Sequence, residues 1–362
     1  MAVKRKHPFG TALFLLLALA SAAALLFSCL ALFLDPVRYP AAMFFGLYHV
    51  PVVLFNLLLL LLALLRYRRL LLIPVIALIP TLLLADRFVK FGRGGDLPEG
   101  TRLKVMTYNV GRYANGVRTM PEAEAVAGVR DFIREQDADI VCLQEFSVAD
   151  TSALSACLPD YPYRAQHLFK GSRNFGNITL SRYPILHSES LTFPQSRNLS
   201  LVTDLDVDGH TVRVYNCHLE SYGISSSALF KRLFRRDHFT DEVAQVHGRV
   251  REATHRRSEQ VSALLENLAA CAWPGLICGD FNDTPISYTY QRLIRTRKDS
   301  FVESGTGFSS TYAVFWPMLR IDYVLLPQEW SAYGHRTARV PWSDHYPVTT
   351  GILLRSEPSK IR

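Results

Sequence analysis

The sequence has two long stretches without charge in its first 65 residues, and it lacks paired cysteine and histidine motifs. Residues 11–34 and 41–65 contain no Asp, Glu, Lys or Arg, which is unusual for a soluble domain. Its six cysteines include no Cys-x-x-Cys pair, and no His-x-x-x-His pair occurs. The sequence therefore indicates neither a disulfide framework nor a structural zinc site. No serine or cysteine stands in a recognisable nucleophile motif, so a covalent intermediate is not indicated.

The apolar residues are concentrated before residue 86 and predict a membrane region. A membrane-spanning helix needs about 20 apolar residues, and we expect three spans, at about 11–34, 45–65 and 69–86. The third is short and contains Pro74 and Pro80. A cleaved signal peptide is the alternative for the first run, because three basic residues precede it.

Basic residues in the short loops predict the orientation of these spans. They cluster before the first run and again within residues 66–69, which predicts that the amino terminus lies on the cytoplasmic side of the membrane. Three spans would make an integral membrane protein, expected in a bacterial inner membrane, with the rest of the chain outside the cytoplasm. If the third run lies only at the membrane interface, the rest of the chain is cytoplasmic.

A Gly-rich stretch predicts the boundary between two regions. Residues 92–100, Gly-Arg-Gly-Gly-Asp-Leu-Pro-Glu-Gly, have no periodic pattern and are typical of a linker. We therefore predict a membrane region over 1–91, a large domain over 101–356 and a tail over 357–362. The large domain is long enough to form one hydrophobic core.

Short apolar runs bounded by polar turns predict the strands of the large domain. Amphipathic patterns predict helices over 122–135 and 243–268. Because some strands are consecutive and others are separated by helices, the pattern indicates an α/β or α+β sandwich. Cys142, Cys217 and Cys278 lie inside strand-like runs and are expected as buried thiols. The predicted strands cover residues 103–108, 139–143, 178–180, 199–207, 210–216, 276–278 and 321–326.

Polar side chains with catalytic potential stand within or just after several of these apolar runs. Each one alone is explained as a turn residue, a solvated strand end or a core histidine. Together they indicate a functional site, because polar groups gathered beside a core are usually functional. The set comprises Asn109, Glu145, His218, Asp280, Asn282, Asp322, Asp344 and His345.

These residue types favour metal-assisted hydrolysis of a phosphorus ester. Mg²⁺ and Mn²⁺ take carboxylate and amide oxygens as ligands, so Glu145 is the expected anchor, with Asn109 and Asp344 as helpers. A carboxylate can align and deprotonate the attacking water, and imidazoles can stabilise the charge on phosphoryl oxygens.

The motifs together resemble the endonuclease/exonuclease/phosphatase superfamily, which includes deoxyribonuclease I, exonuclease III-like repair enzymes, inositol-polyphosphate 5-phosphatases and neutral sphingomyelinases. The resemblance runs from about Leu103 to Val348. It implies a four-layer α/β/β/α sandwich of two mixed sheets, with the site at one end. The motifs occur in the family's order and read Thr107-Tyr-Asn-Val, Leu143-Gln-Glu, Gly176-Asn-Ile-Thr-Leu-Ser-Arg-Tyr-Pro, Asn216-Cys-His-Leu, Gly279-Asp-Phe-Asn, Arg320-Ile-Asp-Tyr and Ser343-Asp-His-Tyr-Pro-Val.

The resemblance implies how the metal and the water are handled. Glu145, with Asn109 nearby, would bind a divalent cation, Mg²⁺ or Mn²⁺, and Asp344 would assist. Asp280 would orient or deprotonate the attacking water. Asn282 would hold that water and a phosphate oxygen.

The resemblance also implies contacts with the phosphate. His345, oriented by Asp322, would contact the scissile phosphate, and His218 would provide a second imidazole. Asn177 and Arg173 are expected at the substrate, as is Asn109. Deoxyribonuclease-like members support the second histidine with a glutamate, but residues 163–177 contain no acid, so we expect a neutral phosphate donor there. The Cys-Asp-Arg pattern of the 5-phosphatases is also absent, which disfavours that substrate class.

A basic segment follows the strand that ends at His218. Residues 230–257 hold eight Lys or Arg against four Asp or Glu, with aromatic residues among them. Such a segment can contact anionic lipid or a nucleic-acid backbone. From Val243 onward, a solvated helix face is the simpler explanation. The net charge of +8 favours an anionic partner of either kind.

Two functional hypotheses follow, together with a third, weaker one. The first is a membrane-anchored, metal-dependent phosphodiesterase or phosphatase, with a lipid head group as one candidate substrate and membrane lipids as partners. The second is a membrane-anchored nuclease acting on DNA or RNA. A catalytically inactive binding module is the third, and the complete acidic set disfavours it. No protein partner can be inferred from the sequence.

Overall fold

The computed structural model describes residues 8–92, 100–114, 120–149, 157–223 and 239–354. The chain divides into two compact units. The first comprises residues 1–86 with 286–291, and the second comprises 87–285 and 292–362. The division therefore falls a few residues before the predicted linker.

The first unit is built from four apolar helices. Polar side chains link the first of them to the third: the Asn56 amide donates a hydrogen bond to Ser21 Oγ (2.7 Å), and Ser28 Oγ lies 2.7 Å from His49 Nδ1. Hydrogen bonds of this kind satisfy polar groups between helices in apolar surroundings. The helices are α1 (Pro8–Leu30), α2 (Pro40–Leu47), α3 (His49–Leu65) and α4 (Leu72–Leu82).

These helices differ from the three predicted spans. Within the described residues, α1 is the one helix long and apolar enough to cross a membrane or to serve as a signal sequence. Helices α2 and α3 pass the same test only when taken together, and they are bent by 60°. The 11 residues of α4 extend about 16 Å, roughly half of an apolar bilayer core. Pro80 lies in its last turn, where the helix ends.

The second unit contains two six-stranded mixed sheets, as the resemblance implied. Their strand orders are β13-β14-β2-β3-β5-β4 and β10-β12-β9-β8-β7-β6, and a short β1-β11 ladder stands apart. Among the strands of the described residues, only β2 with β3 and β8 with β9 pair in parallel. The strands are β1 (Val89–Lys90), β2 (Thr101–Asn109), β3 (Ile140–Val148), β4 (Tyr163–Phe169), β5 (Asn174–Ser181), β6 (Ile185–Thr192), β7 (Leu199–Val207), β8 (His210–His218), β9 (Gly275–Asp280), β10 (Arg297–Asp299), β11 (Gly307–Phe308), β12 (Asp322–Pro327), β13 (Ser331–Thr337) and β14 (Val348–Leu354).

Helices cover the outer faces of the two sheets. Val129 and Phe132 of α5 pack with Met106 of β2 in one buried cluster. On the other sheet, Tyr215 of β8 donates a hydrogen bond to Asn267 of α6 (2.8 Å). The result is the predicted four-layer α/β/β/α order. The helices are α5 (Glu122–Gln136), α6 (Phe239–Ala270), α7 (Tyr288–Ile294) and α8 (Ser300–Ser304).

The core between the sheets follows the two-residue alternation of strands. Val105 of β2 faces the other sheet, whereas Met106 faces α5. Cys142, Cys217 and Cys278 are buried free thiols, as predicted. Burial raises the pKa of the Cys217 thiol to about 12. These cysteines therefore serve as small core residues.

Candidate active site

Three of the expected site residues are lateral neighbours in one sheet. His218 at the end of β8 is paired with Asp280 at the end of β9, and Asp280 is paired with Asp322 at the start of β12. Neighbouring strands lie about 4.8 Å apart. The register alone therefore brings an imidazole and two carboxylates to one edge of the sheet.

A glycine permits this close pairing. Gly279 has a φ of +130°, and a Cβ placed there would lie 1.9 Å from the carbonyl oxygen of Cys217 on β8. Any other residue would push β9 away from β8. Because Asp280 follows directly, this glycine fixes where the carboxylate stands.

Asp280 is almost completely buried and strongly hydrogen-bonded. The amides of Asn109 and Asn282 donate to its Oδ2 at 2.9 and 3.1 Å, and the Asn282 backbone N–H donates to its Oδ1 at 2.8 Å. Burial raises the pKa of Asp280, although His345 opposes this. Asn282 has a left-handed backbone with φ of +51° and donates its amide to the Leu219 carbonyl. Both residues therefore have fixed orientations.

The sequence predicted that Glu145 follows the end of a strand. In the structure it lies in a bulge within β3. The pairing of β3 with β5 shifts between Leu143 and Phe146, and Glu145 has a φ of +49°. A bulge turns one side chain out of the regular alternation. Burial opposes ionisation, but His218, Arg112 and His345 together lower the pKa of Glu145. Its carboxylate is thus held in the charged form.

Asn109 links the two sheets through its side-chain amide. Its Nδ2 faces Asp280 (2.9 Å) and Glu145 (3.4 Å), while its Oδ1 accepts from the Gly111 backbone N–H (3.0 Å). The Gly111 contact determines which end of the amide faces the carboxylates. In this geometry Asn109 donates hydrogen bonds to two acids. Its predicted role as a metal ligand would require the side-chain amide to flip, so that Oδ1 faces the carboxylates instead of Nδ2.

His345 is hydrogen-bonded to Asp322. Its Nδ1 lies 3.0 and 3.2 Å from the two Asp322 oxygens, and its Nε2 lies 3.7 Å from Asp280 Oδ2. Burial lowers the pKa of His345, but Asp322 and Asp280 outweigh it and raise the pKa well above 6.5. These carboxylates therefore favour the imidazolium form, in which Nδ1 donates to Asp322.

A serine ties the His345 loop to the other sheet. Ser343 Oγ donates to the Asn109 carbonyl (2.7 Å) and accepts from the His345 backbone N–H (3.2 Å). The intervening Asp344 interacts electrostatically with His345, Glu145 and Asp280, and burial raises its pKa. The loop thus brings a further carboxylate to the site.

His218 faces two acids without bonding to either. Its Nε2 lies 3.7 Å from Glu145 Oε1 and 3.8 Å from Asp280 Oδ2. That nitrogen is buried and has no hydrogen-bond partner in the part of the chain that the structure describes. A buried polar atom of this kind is costly unless something binds it, so the space between these three residues suits a ligand.

Two of the expected substrate contacts lie elsewhere. Asn177 is 1% exposed, and its amide donates to the Asn216 carbonyl (2.9 Å), so it supports β8 and is closed to a substrate. Arg173 donates two hydrogen bonds to the Glu122 carboxylate and one to Ser147 Oγ. The structure therefore does not group these two with the carboxylates. It does group Asn109, Glu145, His218, Asp280, Asn282, Asp322, Asp344 and His345.

Several supporting residues were not assigned a role from the sequence. Arg112 Nε contacts Glu145 Oε2 at 3.1 Å. The Gln144 amide donates to Asn216 Oδ1 (2.8 Å), and Asn216 donates to the Ile178 carbonyl (2.9 Å), which connects the two sheets beside the site. Gln144 and Asn216 stand within the family motifs, and their positions in those motifs could have indicated a role beside the site. Arg112 lies outside these motifs, so nothing in the sequence indicated its contact with Glu145.

The donor set suits a divalent cation. Four acids, Asp280, Asp322, Asp344 and Glu145, converge on one buried site, and ligand atoms of the first two and of His345 lie within 4.8 Å of one another. Like charges at this density favour a bound positive charge. Oxygen ligands are those that hard cations prefer.

This fold and this site define a metal-dependent phosphoric ester hydrolase. The model of the endonuclease/exonuclease/phosphatase family matches residues 106–345, more than half of the chain, so the chain belongs to that family. A second family model, described as a domain of unknown function, matches residues 11–88.

Several individual proteins are similar to this chain. The protein named "Uncharacterized protein YbhP" from Escherichia coli K12 is 27% identical over 284 residues, covering 71% of this chain and all of that protein. An endonuclease/exonuclease/phosphatase from Beutenbergia cavernae has a similar structure, with a TM-score of 0.52 and 18% identity, over 70% of this chain and 72% of its own. One from Bacteroides vulgatus matches with a TM-score of 0.50 and 17% identity, over 70% and 100%. The two structures show the shared fold.

Proposed function

We propose that the chain is a membrane-anchored phosphodiesterase or phosphatase that hydrolyses a phosphoester by direct attack of water, with a lipid head group as a candidate substrate. The observation that carries this is the position of Asp280. It is a buried carboxylate of raised pKa, and two imidazole nitrogens lie 3.7 and 3.8 Å from its Oδ2. A general base works best when its pKa approaches the operating pH.

In this proposal, Asp280 takes the proton of the attacking water. Asn109 and Asn282 hold the carboxylate so that one oxygen faces the space beside His218 and His345. The water oxygen forms a bond to phosphorus while the bond from phosphorus to the leaving oxygen breaks. Fixed hydrogen bonds supply the alignment that makes such an attack fast.

The two histidines act on the phosphate. His345, a cation backed by Asp322, donates a hydrogen bond from Nε2 to a phosphoryl oxygen and stabilises the charge that develops there. His218 faces the same space from β8 and donates to a phosphoryl or leaving oxygen. Its buried, unbonded Nε2 supports this role.

We place the metal, Mg²⁺ or Mn²⁺, at Glu145 with Asp344, and not among Asp280, Asp322 and His345. The latter three have ligand atoms close enough, but His345 Nδ1 is already hydrogen-bonded to Asp322, and hard cations prefer oxygen to nitrogen. Glu145 is charged and accessible enough, with 19% of its side chain exposed. When bound, the cation would neutralise phosphoryl oxygens.

The test is turnover by the purified full-length chain in detergent. Phospholipids, inositol phosphates and nucleic acids would be assayed with Mg²⁺, with Mn²⁺ and with chelator. Asp280→Ala should lose at least about 100-fold in kcat, whereas Asp160→Ala, at a 99% exposed side chain, should match the wild type. Turnover that persists in chelator, or in Asp280→Ala, would refute the mechanism. Turnover confined to nucleic acids would make the chain a nuclease.

Metal binding can be measured without turnover. Calorimetric titration with Mn²⁺ should give one tight site in the wild type and a loss of at least about 10-fold in affinity in Glu145→Gln, because a charged oxygen ligand is removed. Equal affinity in both proteins would show that Glu145 is not a ligand.

We also propose that residues 1–91 anchor the chain in a bacterial inner membrane, with the second unit outside the cytoplasm. The apolar length of α1 supports an anchor, and the basic residues at 66–69 support an inside location for that loop. The extracytoplasmic placement requires the short α4 region to cross as well. A reporter enzyme fused after residue 100 tests this, and activity only in the cytoplasm would overturn it.

A further inference from the structure

Two arginines lie against one phenylalanine beside the site. The guanidinium carbon of Arg112 is 4.5 Å from the centre of the Phe175 ring, and that of Arg197 is 5.5 Å from it. Both distances are within the range of a cation–π interaction. Phe175 is 9% exposed, whereas both arginines are exposed, so a buried ring positions two cations at the surface.

This pair of cations adjoins the carboxylates. Arg112 Nε contacts Glu145 Oε2 at 3.1 Å, and Phe175 is paired across the sheet with Ser147, two residues beyond Glu145. Arg112, Phe175 and Arg197 therefore form a row that begins at Glu145 and leads away from it.

The loop that carries Arg197 is held in place from both sides. Ser196 Oγ donates to Glu220 Oε2 (2.5 Å), and the Asn198 amide donates to the Leu219 carbonyl (3.0 Å). These two acceptors directly follow His218 in the chain. Both neighbours of Arg197 are thus fixed to the segment that leaves the site.

Arg197 is nevertheless without an acidic partner. In the part of the chain that the structure describes, no Asp or Glu oxygen lies within 4.0 Å of its guanidinium. A preorganised guanidinium with free donors binds phosphate well, because its planar donors match two phosphate oxygens.

We propose that Arg197, with Arg112 and Phe175, binds a second phosphate group of the substrate, next to the phosphoester that is cleaved. The inference rests on the proposed hydrolysis, and it specifies the substrate class: a molecule with at least two phosphates. A nucleotide chain and a phosphorylated lipid head group both supply that chemistry.

The experiment compares substrates that differ by one phosphate. The full-length chain in detergent is given the thymidine dinucleotide TpT and its 5′-phosphorylated form pTpT, and in a parallel arm phosphatidylinositol and phosphatidylinositol 4-phosphate in mixed micelles. Wild-type kcat/KM should favour the extra phosphate by about 10-fold in at least one arm, and the arm that shows the preference identifies the source. In Arg197→Gln the ratio should fall to about 1. Arg164→Gln, at an exposed arginine on the edge strand β4, should keep the wild-type ratio.

Binding provides a readout independent of turnover. Fluorescently labelled TpT and pTpT, and labelled forms of both lipids, are titrated in chelator and followed by anisotropy. The wild type should bind the form with the extra phosphate about 10-fold more tightly, and Arg197→Gln should not.

If Arg197→Gln keeps the wild-type preference, or weakens both members of each pair equally, the second-phosphate site is refuted. If no substrate is hydrolysed but the binding preference remains and depends on Arg197, the site stands and the proposed hydrolysis fails.

Discussion

Replacing Asp322 by asparagine should slow turnover by weakening the support of His345. In the structure, Asp322 is 2% exposed and both of its oxygens lie within 3.2 Å of His345 Nδ1. Asparagine keeps the shape and removes the charge. The Thr311 hydroxyl that accepts from the Asp322 backbone N–H is unaffected, so the strand should remain in place.

The size of the effect follows from the lost charge. A hydrogen bond between charged groups contributes about 1.5–3 kcal/mol, and each 1.36 kcal/mol changes a rate tenfold. We therefore expect kcat/KM to fall by between about 10-fold and about 150-fold. The pH dependence should change too. Asp322 is the largest factor that raises the pKa of His345, so Asp322→Asn should lower it. If activity requires protonated His345, it is lost as the pH rises through the pKa of His345. In Asp322→Asn this loss should therefore begin at a lower pH than in the wild type.

The assay is the pH profile of kcat/KM for the wild type, Asp322→Asn, His345→Gln and the double variant. If Asp322 acts through His345, the double variant should be no slower than His345→Gln alone. An unchanged alkaline limb in Asp322→Asn, or losses that simply add in the double variant, would refute the reasoning.

Three further predictions concern stability. Arg257→Met should destabilise the fold by about 3–5 kcal/mol in denaturant titrations, because it removes one partner of a buried ion pair in which Arg257 Nε lies 3.4 Å from Asp283 Oδ2; a loss below about 1 kcal/mol would contradict this. Burial lowers the pKa of His335 to about 3, so the unfolded chain binds the proton first as pH falls below about 6.5. As the pH falls from 8 to 5, His335 should lower the free energy of unfolding by about 2 kcal/mol. In His335→Gln the free energy of unfolding should fall by that much less over the same pH range. Gly279→Ala should cost at least about 3 kcal/mol, because its Cβ meets a backbone oxygen at 1.9 Å. Gly209→Ala has open space around its Cβ and should cost only about 1 kcal/mol, from the positive φ of +85° alone.

The sequence predicted the interior strands better than the edge strands. The runs that predicted strands correspond to β2, β3, β5, β7, β8, β9 and β12, each of which has a neighbour on both sides. The edge strands β4, β6, β10 and β13 were not predicted. Edges face solvent and carry polar residues, as in β6, Ile-Leu-His-Ser-Glu-Ser-Leu-Thr, so the apolar signal is weak. The interior strand β14 was also missed, because Thr349, Thr350 and Gly351 dilute its pattern.

The residues of the site were predictable because strand register brings them together. Asp280 and His218 end adjacent parallel strands, and such ends are visible in the sequence. The bulge at Glu145 was not, because it depends on how β3 pairs with β5, a strand distant in sequence. The contacts of Arg112 and Arg197 with Phe175 were also hidden, because Phe175 is distant from both in sequence. Residues 230–238 of the basic segment at 230–257 lie outside the described residues, and its predicted interaction stays a prediction.

The left-handed backbone at Glu145 and Asn282 has a consequence for how this chain can evolve. Side chains in that conformation cost of order 1 kcal/mol or more each, and glycine would relieve the cost at both positions. Selection for stability alone would therefore drive these two positions toward glycine. A chain that keeps an acid and an amide at these positions is therefore less stable than its fold allows. Relatives that have lost the activity should be recognisable by glycine at these two positions.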